Sequence, residues 1–386
     1  MESPQQIGRY EVVAPLAVGG MGQLLLARER GPAGFERLVV VKLIRPQVAD
    51  NAAIVEAFLR EARLVARLNH PNIVQIIELG ELEAGDYFIA MEYIEGSTVE
   101  ELQVLTQRSG GRVPLDVVVS IAVQSCRGLE VAHDLRDADG THVGLIHRDV
   151  SPQNLMCTTR GFVKLLDFGI AKTTVGGETT ESGALKGKPG YFSPEQAQAR
   201  ALDRRTDIFS LGAVIWELVA GEPLFQAGGA FGTLRAVLDK PIPSLTKFGA
   251  DEALDAIVQR ALTRDREQRY PDASAFRAAL SEYATKRGWP DVHDSLSAFV
   301  GGAAGDLVER RQDTANVART RELSPSEGRS LVHLRAVPTL VDVPATVDMS
   351  PQQLADVTAE DQKAAVSLDG ETTPFRRDDE RDETPR

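Results

Sequence analysis

Two short runs decide the reading of this chain: His147-Arg148-Asp149-Val150-Ser151-Pro152-Gln153-Asn154 and, 13 residues on, Asp167-Phe168-Gly169. The first follows a long stretch, 115–134, in which Val118, Ile121, Ala122 and Leu129 recur at helical spacing. The second closes a short apolar strand, Val163-Lys164-Leu165-Leu166. Asp149, Asn154 and Asp167 offer oxygen ligands and a base, and hard cations such as Mg2+ take such ligands. A single polar cluster in a loop is ordinarily just solvated. Three such side chains in this order gain meaning from what precedes them.

Upstream the sequence reads as β. Runs at 10–18, 23–28, 38–44, 73–79 and 87–93 are strand-like, and 52–68 is helical, stopped by Asn69 and Pro71. Five strands and one helix before residue 96 make a small, mostly antiparallel domain. Between the first two strands lie Gly19, Gly20 and Gly22, which suit either a hairpin turn or a loop whose bare backbone N–H groups approach phosphate oxygens. Lys42 interrupts the run Leu38–Ile44, and Glu61 falls on the apolar stripe with Phe58 and Val65. Opposite charges on the apolar faces of neighbouring elements suggest one ion pair, because a lone buried carboxylate is costly.

Beyond residue 96 the pattern is mostly helical. The stretch 208–219 is apolar nearly all round, as a buried core helix should be, and Gly221 stands where a C-terminal cap belongs. Further amphipathic helices are expected at 253–262 and 273–284. A β lobe followed by a helical lobe places a cleft near residues 94–97. The segment 292–311 reads as one more helix, with a break expected at Gly301-Gly302 and Gly305. From about residue 320 the periodicity is lost and Pro, Ser, Thr and Asp dominate, so 320–386 reads as a disordered acidic tail.

The composition narrows the class. The 386 residues carry 43 Lys/Arg against 56 Asp/Glu, a net charge of −13, which argues against a nucleic-acid binder. Residues 301–386 hold 11 Lys/Arg and 17 Asp/Glu, nearly half of that excess. Two cysteines, Cys126 and Cys157, make no disulfide scaffold and fit a reducing compartment. No apolar run reaches a membrane span, and the polar N-terminus has no leader pattern, so a cytoplasmic protein is expected.

With these runs in place, the chain resembles the eukaryotic-type protein kinases, particularly their bacterial serine/threonine members. The markers appear in the family's order over roughly residues 10–284. They are the glycine loop, Val39-Val40-Val41-Lys42, Glu61, Asn69–Val74, His147–Asn154, Asp167-Phe168-Gly169, Ser193-Pro194-Glu195, Asp207 and Arg269. The resemblance implies an α+β bilobal fold: an N-lobe at 10–95, a mostly helical C-lobe at 96–284, and a helical extension at 285–319 before the tail. It implies ATP and Mg2+, with Mn2+ as a substitute, and transfer of the γ-phosphoryl group to Ser/Thr hydroxyls of proteins, with autophosphorylation.

The same resemblance assigns roles. Lys42 holds the α/β-phosphates and pairs with Glu61; Asn154 and Asp167 hold metal ions; Asp149 accepts or orients the hydroxyl proton. The nucleotide lies under Leu16, Ala17, Val18, Gly19, Gly20, Gly22, Leu24 and Val40. Met156 is the floor and Met91 the gatekeeper, with the backbone from Glu92 to Ile94 meeting the adenine. Arg148 awaits a phosphate on the following segment, where Thr180 and Ser182 are the favoured acceptors. Glu195, Asp207 and Arg269 are structural.

Three positions depart from the family pattern. Ala17 replaces the first loop glycine. Ser151 stands where a lysine is usual, and Lys188 where a threonine follows the glycine. An exchange would reconcile the last two, Lys188 supplying the cation and Ser151 the small hydroxyl. The alternative class is a nucleotide-binding scaffold that transfers nothing. Tail threonines, among them Thr320, Thr339 and Thr373, are candidates for autophosphorylation and for capture by a phosphothreonine-reading partner; the plainer alternative is a solvated linker.

Overall fold

A computed structural model of the chain describes residues 6–19, 22–44, 52–82, 86–168, 188–289 and 292–320. The N-terminal lobe is an antiparallel sheet of β1 (Gln6–Ile7), β2 (Tyr10–Gly19), β3 (Gly22–Arg30), β4 (Glu36–Ile44), β5 (Ile76–Glu81) and β6 (Tyr87–Glu92). The spatial order is β1-β2-β3-β4-β6-β5. Helix α1 (Ala52–Val65) lies between β4 and β5 in the chain.

The expected five strands are therefore six. The addition, β1, pairs Ile7 with Tyr10 and is too short to show a period-2 pattern. Ile73, expected to open the fourth of the five strands, instead forms an isolated parallel bridge with Leu165, and β5 starts at Ile76.

The pleat sorts the sheet into two faces. Leu24 lies opposite Lys42, Leu26 opposite Val40, and Val40 opposite Met91, so these side chains share one face. The other face carries Leu25, Val39, Val41, Phe88 and Ala90, buried with Ile7 and Tyr10 in a separate apolar cluster. The cleft-facing side is thus the one that carries the lysine.

The second lobe begins with β7 (Gly96–Thr98) and α2 (Val99–Arg108), whose capping box joins Thr98 to Glu101. It continues through α3 (Leu115–His133), β8 (Leu155–Thr158), β9 (Val163–Leu165) and the single turn α4 (Pro194–Ala197). Helices α5 (Arg205–Ala220), α6 (Gly229–Asp239), α7 (Glu252–Ala261), α8 (Ala273–Lys286) and α9 (Val292–Thr320) complete it. As its sequence requires, α5 is buried all round, and it ends on Gly221 in the left-handed conformation (φ 79°), whose amide returns to Glu217 O.

The break expected in the last helix does not occur. Helix α9 runs through Gly301, Gly302 and Gly305 without interruption. A Cβ at any of the three would meet nothing within 4 Å, so the glycines face open space. The opposite stripe, Leu296, Val300, Ala304, Leu307 and Val308, is buried, and that burial offsets the poor helix propensity of glycine.

Candidate active site

The loop that carries Asp149 is fixed from below by one carboxylate. Asp207, in the first turn of α5, is fully buried. Its Oδ2 accepts from the His147 amide and from His133 Nε2, both at 2.8 Å, and its Oδ1 accepts from the Arg148 amide at 2.8 Å. Burial pushes the Asp207 carboxyl up. The His133 hydrogen bond, the His133 and His147 rings and the His147 amide outweigh that and hold it below the ordinary range. This anchor keeps Arg148 at φ 64°, a left-handed conformation unusual for a residue with a Cβ.

His147 joins the run of Asp149 to that of Asp167. Its Nε2 donates to Leu166 O at 2.8 Å, and the Asp149 amide lies 3.3 Å from its Nδ1. Its ring lies 4.5 Å from that of Phe168. Asn154 Nδ2 donates to Asp149 O at 2.8 Å, while the Leu166 amide donates to Asn154 O at 2.9 Å. Asp149, Asn154 and Asp167 therefore stand on one hydrogen-bonded frame.

From the other lobe, Lys42 Nζ reaches Asp167 Oδ1 at 2.6 Å. Asp167 is itself left-handed, at φ 43°. The partner expected for Lys42 was Glu61. The backbone of Glu61 lies in α1, but its side chain, like that of Val18, falls outside the described residues. Gly20, Gly169, Thr180 and Ser182 lie outside them as well.

Several residues expected to line the nucleotide pair across neighbouring strands. Ala17 pairs with Leu24 across β2 and β3, an extended setting in which alanine is unstrained. Met91 pairs with Val40 on one side and Ile76 on the other. Met156, across from this sheet, pairs with Thr98 and Lys164 between β7 and β9. After β6 the chain passes between lobes through Tyr93–Glu95, steadied by Glu92, which accepts from Lys164 Nζ at 2.7 Å and from the Gln75 amide at 2.8 Å.

The segment after the undescribed stretch is held as firmly as the loop it faces. Glu195 and Arg269, both buried, form a fork at 2.7 and 2.8 Å, and Thr206 Oγ1 adds a third bond to the carboxylate at 3.0 Å. Gln196 Nε2 donates to Arg148 O at 2.9 Å, tying this segment to the loop that carries Asp149. Tyr191 OH donates to Glu217 Oε2 at 2.7 Å, and Gln153 Nε2 donates to Glu100 Oε1 at 2.5 Å. Burial pushes both carboxyls up, and the charge of Lys188 opposes this at each. Ser151 Oγ and Arg148 Nε are buried with no hydrogen-bond partner among the described residues.

Sequence patterns assigned no role to His133, Gln153, Glu100, Tyr191 and Glu217. The only available signal for His133 was a polar ring at the end of an otherwise apolar helix; the others lie on ordinary polar positions of loops and helix ends. Among the described residues no group of three or more His, Cys, Asp or Glu is placed to hold a metal, and no helix is long and apolar enough to cross a membrane.

Comparison with known proteins agrees with this geometry. The model of the protein kinase domain family matches residues 10–280, and the chain belongs to that family. It is 39% identical over 326 residues to the tyrosine-protein kinase MasK of Myxococcus xanthus, covering 84% of this chain and 50% of that one. It is 35% identical over 283 residues to the serine/threonine-protein kinase PknB of Mycobacterium leprae, covering 72% and 43%. The kinase domain of PknI from Mycobacterium tuberculosis shares the fold with a TM-score of 0.55 and 27% identity, over 73% of this chain and 99% of that domain. The chain spans about half the length of the curated relatives it matches.

Proposed function

We propose that this chain transfers the γ-phosphoryl group of Mg-ATP to Ser/Thr hydroxyls of protein substrates, itself included, in bacterial cytoplasmic signalling. The observation that carries the reading is the single frame uniting Asp149, Asn154 and Asp167, met from the opposite lobe by Lys42 at 2.6 Å. Phosphoryl transfer needs positioning and charge neutralisation more than covalent chemistry, and such a frame supplies both.

The donor set suits Mg2+, which takes one or two protein oxygens together with phosphate oxygens and water. Asp167 and Asn154 are those oxygens, Asn154 through Oδ1 because its Nδ2 is committed to Asp149 O. When bound, the ion neutralises charge on the phosphates. Lys42 holds the α/β-phosphates. Asp149 orients the attacking hydroxyl and takes its proton. Arg148, whose buried Nε has no hydrogen-bond partner among the described residues, is disposed to meet a phosphate placed at Thr180 or Ser182.

Lys188 and Ser151 complete the proposal as an exchange. Lys188 acts on Glu100, which takes a hydrogen bond from Gln153 in the catalytic loop, so its charge stands beside that loop. We assign it the γ-phosphate contact, with the Ser151 hydroxyl beside it. The series Lys188→Thr, Ser151→Lys and the double swap tests this. Full turnover in Lys188→Thr, or a double swap that restores nothing to a crippled single variant, would discard the exchange.

Serine/threonine specificity is favoured by Pro152 after Ser151 and by the PknB relatives, while MasK bears a tyrosine-kinase name. Incubation with Mg-ATP, phosphoamino-acid analysis and site mapping decide it. Phosphoserine and phosphothreonine are expected, and phosphate on tyrosine alone would overturn the assignment. The same mapping tests tail threonines as docking points for a phosphothreonine reader.

A further inference from the structure

Helix α9 lies wholly beyond the family match, which ends at residue 280. It nevertheless touches both segments that bound the adenine site. Near its start, His293 Nδ1 bonds Gly161 O at 3.1 Å, and Ser297 Oγ donates to Thr159 O at 2.7 Å. The Thr159 amide in turn donates to Glu95 O in the interlobe connection at 3.0 Å. Nearly four turns further on, Arg311 closes a fork on Glu101, with Nη2 to Oε1 at 2.5 Å and Nη1 to Oε2 at 3.2 Å. Arg311 Nη1 also donates to Gly96 O at 3.3 Å.

Gly96 and Glu101 adjoin the residues assigned to the nucleotide. Gly96 follows Ile94 by two residues. Glu101 caps Thr98, and Thr98 pairs with Met156, the floor of the cleft. Strand β7 has no slack on β8, because a Cβ on Gly96 would stand 2.1 Å from Cys157 O. The side chains of Arg311 and Glu101 are only 13% and 8% exposed, so the fork is withdrawn from solvent screening.

From this we infer that Arg311 is a positioning residue for the nucleotide, fixing the interlobe connection and the cleft floor from a helix outside the family's domain. The inference rests on the kinase reading of the cleft. Arg311 touches no ligand; it limits how far Gly96 and Thr98 can shift when the adenine leaves. Loss of the fork therefore weakens ATP binding and leaves the chemical step alone.

The test is calorimetric titration of the full chain with Mg-ATP, beside steady-state kinetics and thermal melts. Arg311→Ala should raise the ATP dissociation constant and KM about fivefold or more, as ordinary coupling between separated sites does. The kcat at saturating ATP and the KM for protein substrate should not move. Glu101→Gln should match it, because glutamine keeps the capping box, as Gln196 does in α4, and loses only the charge. The double variant should be no worse than either single, and Arg311→Lys should recover part of the loss. If Arg311→Ala does not fold, Glu101→Gln carries the test. Wild-type chain that binds no Mg-ATP would overturn the reading of the cleft itself. Wild type that binds, with variants of unchanged ATP affinity or with lowered melting alone, would overturn only the role of Arg311.

Discussion

The two lobes bring their charged groups to one cleft by different means. In the lower lobe, Asp207 and Glu195 are buried and each carboxylate accepts three or more hydrogen bonds that tie distant segments together. In the upper lobe, Lys42 is presented by strand register, and its side chain and that of Asp167 are 20% and 44% exposed. The lower half is part of the folding of the domain. On the proposed function, the upper half exchanges its partner when phosphates arrive. Stability and ligand response are thus assigned to different sets of ion pairs.

The comparison breaks most sharply at Glu195. Glu195→Ala leaves the Arg269 guanidinium buried without its counter-charge, which should cost about 3–5 kcal/mol in urea unfolding. Lys42→Met should change stability by less than about 1 kcal/mol, as expected for a partly exposed pair, while abolishing tight Mg-ATP binding. Equal stability losses in the two variants would erase the distinction.

Acid titration sharpens it further. Arg269 outweighs the burial that pushes Glu195 up, and His133 with the loop amide does the same for Asp207, so both carboxyls sit below their ordinary values of 4.5 and 3.8. In that window the unfolded chain binds more protons than the folded one, so stability rises with pH. Their contribution is complete above the ordinary carboxylate range and is lost as pH falls through the lowered folded values. Asp207→Asn should flatten the acid limb of stability, and Lys42→Met should leave it in place. The smallest effect is expected in α9: Gly302→Ala, on the open face, should stabilise the chain by about 1 kcal/mol or less.

The catalytic runs were legible because the proposed chemistry demands particular residue types in a fixed order. Lys42 stood out against an apolar strand, and Asp149, Asn154 and Asp167 against their loops. Val40 and Lys42 are two residues apart, which pleat alternation alone puts on one side. What escaped was set by long-range geometry. His133 lies 74 residues from its partner Asp207, and no local pattern announces the bond. Strand β1 has two residues, a single period of strand alternation and too few to show a repeat. The glycines of α9 looked like a break because sequence shows their cost and not the side they face. Asp167 as the partner of Lys42 depends on how the lobes meet, which no single run of residues records.

The most direct test of the whole account is one paired measurement on the full chain: Mg-ATP affinity by calorimetry and phosphate transfer to a generic basic protein, for wild type and Asp149→Asn. Binding by both is expected, with transfer by wild type and transfer reduced about 10²- to 10⁴-fold in the variant. Binding by wild type with no transfer at all would contradict the kinase reading and leave a nucleotide-binding scaffold in its place.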